Sequence, residues 1–172
     1  EPFMRSAYGY VRLAEKQNSL FRKQVDDAYI WGEALAVLEA IQPDLRIINL
    51  ETSVTTSDEY WPGKGINYRM HPGNIGCLTA ARLDCCVLAN NHVLDWGRAG
   101  LIETLAVLQQ AGLQIAGAGR DRRQSQAPAV LPVPAKGRVL IFAYATDNCG
   151  VPPSWAAKDD RPGVNLLADL SD

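Results

Sequence analysis

Histidine is scarce in this 172-residue chain, which holds only His71 and His92. That scarcity excludes an all-histidine metal site within it and leaves room only for a mixed site with carboxylate or amide oxygens. Charge of one sign is also missing. Seventeen Lys and Arg face 19 Asp and Glu, scattered along the chain, for a net charge of −2. With no basic stripe to follow a phosphate backbone, nucleic acid is excluded as a partner. No apolar run reaches the roughly 18–20 residues that cross a bilayer, so this piece holds no membrane segment. The start, Glu1-Pro2-Phe3-Met4-Arg5, has neither a secretion leader nor an initiator methionine, and the chain reads as the middle of a longer one. Its four cysteines, Cys77, Cys85, Cys86 and Cys149, follow no zinc-site spacing. They read as buried free thiols, which lean toward a reducing, cytoplasmic compartment.

What is present is patterned as one domain, long enough for a sizeable core and too short for two. Apolar spacing predicts helices over 3–16, 29–41, 74–82 and 98–111, the last closed by Gly112 in a left-handed conformation. Apolar, β-branched runs predict strands at 45–50, 84–89 and 113–116, and a hairpin pairs 129–133 with 138–145. In the second strand Cys85 and Cys86 point to opposite faces. Residues 55–70 and 147–162 read as loop, rich in Gly, Pro and Asp. Gly117-Ala118-Gly119 lacks the lysine of a phosphate loop and reads as a turn. Trp31, Trp61, Trp96 and Trp155 read as packing groups.

Helix–strand alternation predicts an α/β fold with a partly parallel sheet, whose sites lie beyond the carboxyl ends of the strands. Glu51 follows the first strand, Asn90-Asn91-His92 follows the second, and Thr146-Asp147-Asn148 follows the last. A carboxylate, an amide oxygen and an imidazole converging there can bind a divalent metal or move a proton. The plainer alternative makes Glu51 a surface charge, Asn90 and Asn91 a turn, and His92 a helix cap. If Glu51 and Asn91-His92 act together, they lie on the same edge of neighbouring parallel strands, with His92 partly exposed in a cleft.

The string Leu88-Ala89-Asn90-Asn91-His92-Val93-Leu94-Asp95-Trp96-Gly97, with Asn49-Leu50-Glu51 upstream, resembles the signatures of the bacterial capsule-synthesis family linked to poly-γ-glutamate (CapA/PgsA-like). Tyr68-Arg69-Met70-His71-Pro72 and Gly117-Ala118-Gly119-Arg120-Asp121 match in the same order. The resemblance implies part of a calcineurin-like metallophosphoesterase sandwich, layered αββα and truncated at both ends, as a single partial domain over 1–172. It implies a pair of divalent metal ions, with Glu51 and Asn91 as ligands and His92 protonating a leaving-group oxygen. Asp95 would orient the histidine loop, and Asn90, Arg69 and His71 would meet substrate. The family's first-strand Asp motif and its later histidine motifs are absent here. The implied role is in capsule or poly-γ-glutamate synthesis or export, with phosphoester hydrolysis on an anionic polymer or phosphoester and with capsule-synthesis partners. The alternative is a non-catalytic accessory protein that binds polymer or partners. Family members are often membrane-associated and extracytoplasmic, against the lean of the thiols. A partial sandwich would leave apolar sheet surface uncovered.

Overall fold

The computed structural model describes residues 6–22 and 24–167. In chain order its elements are α1 (Ala7–Gln17), α2 (Ala34–Ile41), β1 (Ile47–Asn49), β2 (Ser53–Val54) and β3 (Arg69–Met70). Next come α3 (Gly76–Ala80), β4 (Cys85–Val87), α4 (Gly97–Gln110), β5 (Gln114–Ala116) and β6 (Ala118–Gly119). Then follow α5 (Arg122–Gln126), β7 (Ala129–Val133), β8 (Gly137–Ile141) and β9 (Gly163–Val164).

The centre is a three-stranded parallel sheet in the order β1-β4-β5. Ile48 pairs with Cys86, and Cys86 with Ile115, so β4 is hydrogen-bonded on both sides. A strand buried on both faces needs a continuous apolar run, which Cys85-Cys86-Val87-Leu88 supplies. Cys86 and Leu88 face a helical layer in which Leu101, Leu105 and Leu108 form one stripe of α4. Cys85, one residue out of phase, faces the antiparallel hairpin of β7 and β8 and packs with Ala116, Ala129, Leu131 and Ala143. Helices, parallel sheet and hairpin therefore stack as three layers of an α/β fold. Gly117 lies where the sheet and hairpin layers close. At φ +90°, a Cβ there would sit 2.6 Å from the Ala89 Cβ and 2.8 Å from the Ala143 Cβ.

Several expected elements changed. The 29–41 helix is a 3-10 turn over Tyr29–Trp31 followed by α2, because Gly32 at φ +51° breaks it. The 74–82 helix is likewise a 3-10 turn at Pro72–Asn74 and then the short α3. Phe3, the first residue of the expected N-terminal helix, lies outside the described residues, and α1 buries none of its own. The 55–70 loop ends in β3, which pairs in parallel with β2. The 147–162 tail carries 3-10 turns at Asp147–Cys149 and Pro153–Trp155 and leads into β9, which pairs with β6. Its Trp155 is fully buried. Gly112, by contrast, takes the left-handed conformation beyond α4, at φ +79°. The thiols also divide: Cys85 and Cys86 are buried and free, whereas Cys149 is exposed.

Candidate functional site

Because β1 and β4 run parallel as neighbours, the residues beyond their carboxyl ends emerge on one edge of the sheet. Glu51 and the Asn90-Asn91-His92 turn meet there, with His92 Nε2 3.8 Å from Glu51 Oε1. Glu51 is half exposed and accepts a long 3.4 Å hydrogen bond from Asn49 Nδ2. Asn90 ties the two strand ends together. Its Nδ2 donates to Asn49 Oδ1 at 2.9 Å and to the Leu50 carbonyl at 3.0 Å, while its Oδ1 accepts the His92 backbone N–H at 3.1 Å. At 7% exposure its polar atoms are committed to the fold. Asn91 is half-buried, and a Cβ on Gly150 would stand 3.3 Å from its Nδ2. The turn after Thr146-Asp147-Asn148, the third strand-end position, thus packs against the same corner.

His92 is buried, at 8% exposure, rather than partly open as the strand-end argument anticipates. The cause lies in the loop before β3, whose Tyr68 ring stacks on the imidazole at 4.2 Å and 28°. On the other ring edge, Asp95 Oδ2 stands 2.7 Å from His92 Nδ1. An acceptor carboxylate at that distance favours the tautomer with its proton on Nδ1, in which the Nε2 lone pair faces Glu51. Asp95 is fully buried and also accepts the Tyr68 backbone N–H at 2.6 Å and the Lys64 ammonium. Lys64 Nζ lies 3.0 Å from His92 Nδ1 as well. Below them, Ser53 Oγ holds the turn by its contacts with the His92 and Val93 carbonyls, at 3.2 and 2.9 Å.

Arg69 and His71 take up local tasks. Arg69 donates to the Ser57 carbonyl and to Asp58, and its guanidinium lies 4.1 Å from the Trp96 ring centroid. His71 Nδ1 accepts the Gly73 N–H and caps the 3-10 turn that follows.

Sequence reasoning missed Lys64 and Tyr68. The signal was faint: Lys64 sits between two glycines in Trp61-Pro62-Gly63-Lys64-Gly65, and Tyr68 directly precedes Arg69.

Glu51, Asn91 and His92 offer one carboxylate, one amide and one imidazole. Among the described residues no group of three or more His, Cys, Asp or Glu side chains converges to hold a metal ion. These donors fit part of one coordination sphere and do not complete a metal pair.

The fold and edge site together define an α/β protein with a carboxylate, an amide and a carboxylate-braced imidazole beyond neighbouring parallel strands. The chain belongs to the bacterial capsule synthesis protein family PGA_cap, whose model matches residues 6–172. It is similar to a protein named "Probable polyglutamine synthesis accessory protein" in two strains of Mycobacterium tuberculosis, at 48% identity over 169 residues. That match covers 98% of this chain and 44% of the relative, so the chain spans less than half the length of those curated relatives. An uncharacterized protein of Sinorhizobium fredii is 40% identical over 88 residues, covering 46% of this chain and 18% of the relative. No helix among the described residues is long and apolar enough to cross a membrane.

Proposed function

We propose that the protein serves in synthesis or export of a capsular poly-γ-glutamate polymer, and that its strand-edge site hydrolyses a phosphoester. The observation carrying this reading is the fixed imidazole: Asp95 holds Nδ1 at 2.7 Å, Tyr68 packs the ring face, and Nε2 is turned toward Glu51. In that setting Nε2 accepts a proton from an attacking water and, once protonated, returns it to the leaving oxygen. Asp95 stabilises the imidazolium formed in between. Glu51 and Asn91 would lend a carboxylate and an amide oxygen to a divalent-metal site completed by donors outside the described residues. The fold would then be three layers of a metallophosphoesterase-like αββα sandwich, the β7–β8 hairpin belonging to its second sheet.

A second reading, a non-catalytic accessory protein, is favoured by the name of the mycobacterial relatives and by the incomplete donor set among the described residues. The two part on one experiment. The full-length protein is assayed with manganese against a generic phosphomonoester and phosphodiester, beside His92→Ala. Turnover that falls by about a hundredfold or more in the variant supports the hydrolytic reading, in line with the loss of a general base. Wild-type protein that hydrolyses neither compound leaves the accessory reading.

A further inference from the structure

Beside His92 runs a row of cations on an aromatic ridge that the proton chemistry does not use. Lys64, already in contact with the imidazole, lies 5.6 Å from the Trp155 ring centroid. Trp155 packs edge to face on Trp61, their centroids 5.4 Å apart. Arg98 lies 5.5 Å from the Trp61 centroid. Its Nε donates to the Pro162 carbonyl at 3.3 Å and its Nη2 to the Ser154 carbonyl at 2.9 Å. Arg161 adjoins this point in the chain and reaches the Ala156 carbonyl at 3.5 Å.

Lys64 is paired with Asp95, but the charge at the Arg98–Arg161 end of the ridge is not balanced. Among the described residues no carboxylate pairs with Arg98 or Arg161, although acidic residues outnumber basic ones in the chain. Burial, and after it the neighbouring charge of Arg161, presses the Arg98 guanidinium below its ordinary pKa. Two donors on the ridge, Arg161 Nε and Trp155 Nε1, are buried without a hydrogen-bond partner. Like charges placed side by side in a half-buried setting raise the energy of the site until an anion joins them.

We infer that Lys64, Arg98 and Arg161, along the Trp61–Trp155 ridge, form a track that binds a polycarboxylate chain beside His92. The inference rests on the proposed capsular role and names the side of the site from which the polymer would be held. Guanidinium groups take carboxylates as paired hydrogen bonds. The half-buried Trp61 ring gives the methylene groups of a glutamate-like backbone an apolar surface to lie on, and a polyphosphate chain has none to offer.

The test titrates the full-length protein with an oligomer of γ-linked glutamate, reading tryptophan fluorescence and calorimetry, with inorganic polyphosphate as the second arm. Arg161→Gln is the main variant, since among the described residues that side chain makes only one weak hydrogen bond. Arg161→Lys restores the charge, and Arg98→Gln removes the other cation. The expected result is saturable oligoglutamate binding that weakens as salt is raised, falls about tenfold in each glutamine variant and returns in large part with Arg161→Lys. Oligoglutamate binding in a protein that hydrolyses no phosphoester would keep the track and remove the hydrolytic reading. Binding that is equal in wild type and Arg161→Gln, absent altogether, or confined to polyphosphate would overturn the track.

Discussion

Asp95 is the residue on which the site depends most heavily. It is fully buried and receives three donors: the His92 ring, the Tyr68 backbone N–H and the Lys64 ammonium. Removing one partner of such a cluster leaves the others without compensation in a place water does not reach. Asp95→Ala should therefore destabilise the protein by about 3 kcal/mol, and His92→Ala by about 2 kcal/mol, as measured by urea unfolding. The reverse order, or two near-neutral variants, would mean that the cluster is not formed. The cysteines give a second test at this scale. Burial pushes the Cys85 thiol up to about 11 and Cys86 to about 12, and burial raises Cys77 as well. The Thr146 hydroxyl, 3.1 Å from Cys149 Sγ, holds that exposed thiol below its ordinary value. Mild alkylation of the native protein followed by mass mapping should mark Cys149 first and leave Cys85 and Cys86 untouched. Early labelling of Cys85 or Cys86 would contradict the packing of β4.

Among the elements, α4 does more than cover the sheet. Its Glu103 clamps the chain just after β2, accepting Thr55 Oγ1 at 2.5 Å, and the Thr56 N–H and hydroxyl at 2.9 Å each. The Thr55 hydrogen bond is the main reason the Glu103 carboxyl lies below its usual range. A carboxyl with a lowered folded-state pKa stabilises at neutral pH, and that contribution fades as pH falls through the folded value. Wild type should thus exceed Glu103→Gln in stability at neutral pH, and the gap should narrow as the pH falls below the ordinary carboxylate range. A pH-independent gap in denaturant unfolding would show that the clamp is not ionic.

Elements also divide by how legible they are in the sequence. The parallel strands, the hairpin and α4 can be read from it because their apolar residues recur at the period of the element they form. The Glu51–His92 meeting follows from strand order alone. The β2–β3 pair cannot be read, since two-residue strands carry no period, and only tertiary contact makes Ser53 and Val54 a strand. Lys64 and Tyr68 escape for a related reason: a loop residue's partner 27–31 positions away leaves no local trace. The burial of His92 follows from that loop and was equally hidden.

For the whole molecule, the outer face of the hairpin is the notable surface. Leu140, Phe142 and Tyr144 alternate onto one side of the chain and are 47%, 52% and 53% exposed, with Val130 paired opposite Leu140. A contiguous apolar face on a strand invites another surface to cover it. These 172 residues expressed alone should self-associate, and Phe142→Lys should shift them toward monomer in sedimentation velocity. A monomer at every concentration would contradict that expectation, which the partial-sandwich reading also makes.

The account turns on Glu51, Asn91 and His92 acting as one site, and divalent-metal binding tests this most directly. Manganese binding to the full-length protein would be measured at equilibrium for wild type, Glu51→Gln and Asn91→Ala, each checked for a native melting profile. The account predicts stoichiometric binding that weakens about tenfold or more in each variant, as the loss of a ligand oxygen requires. Wild-type protein that takes up no metal, or variants that bind as tightly as wild type, would contradict it.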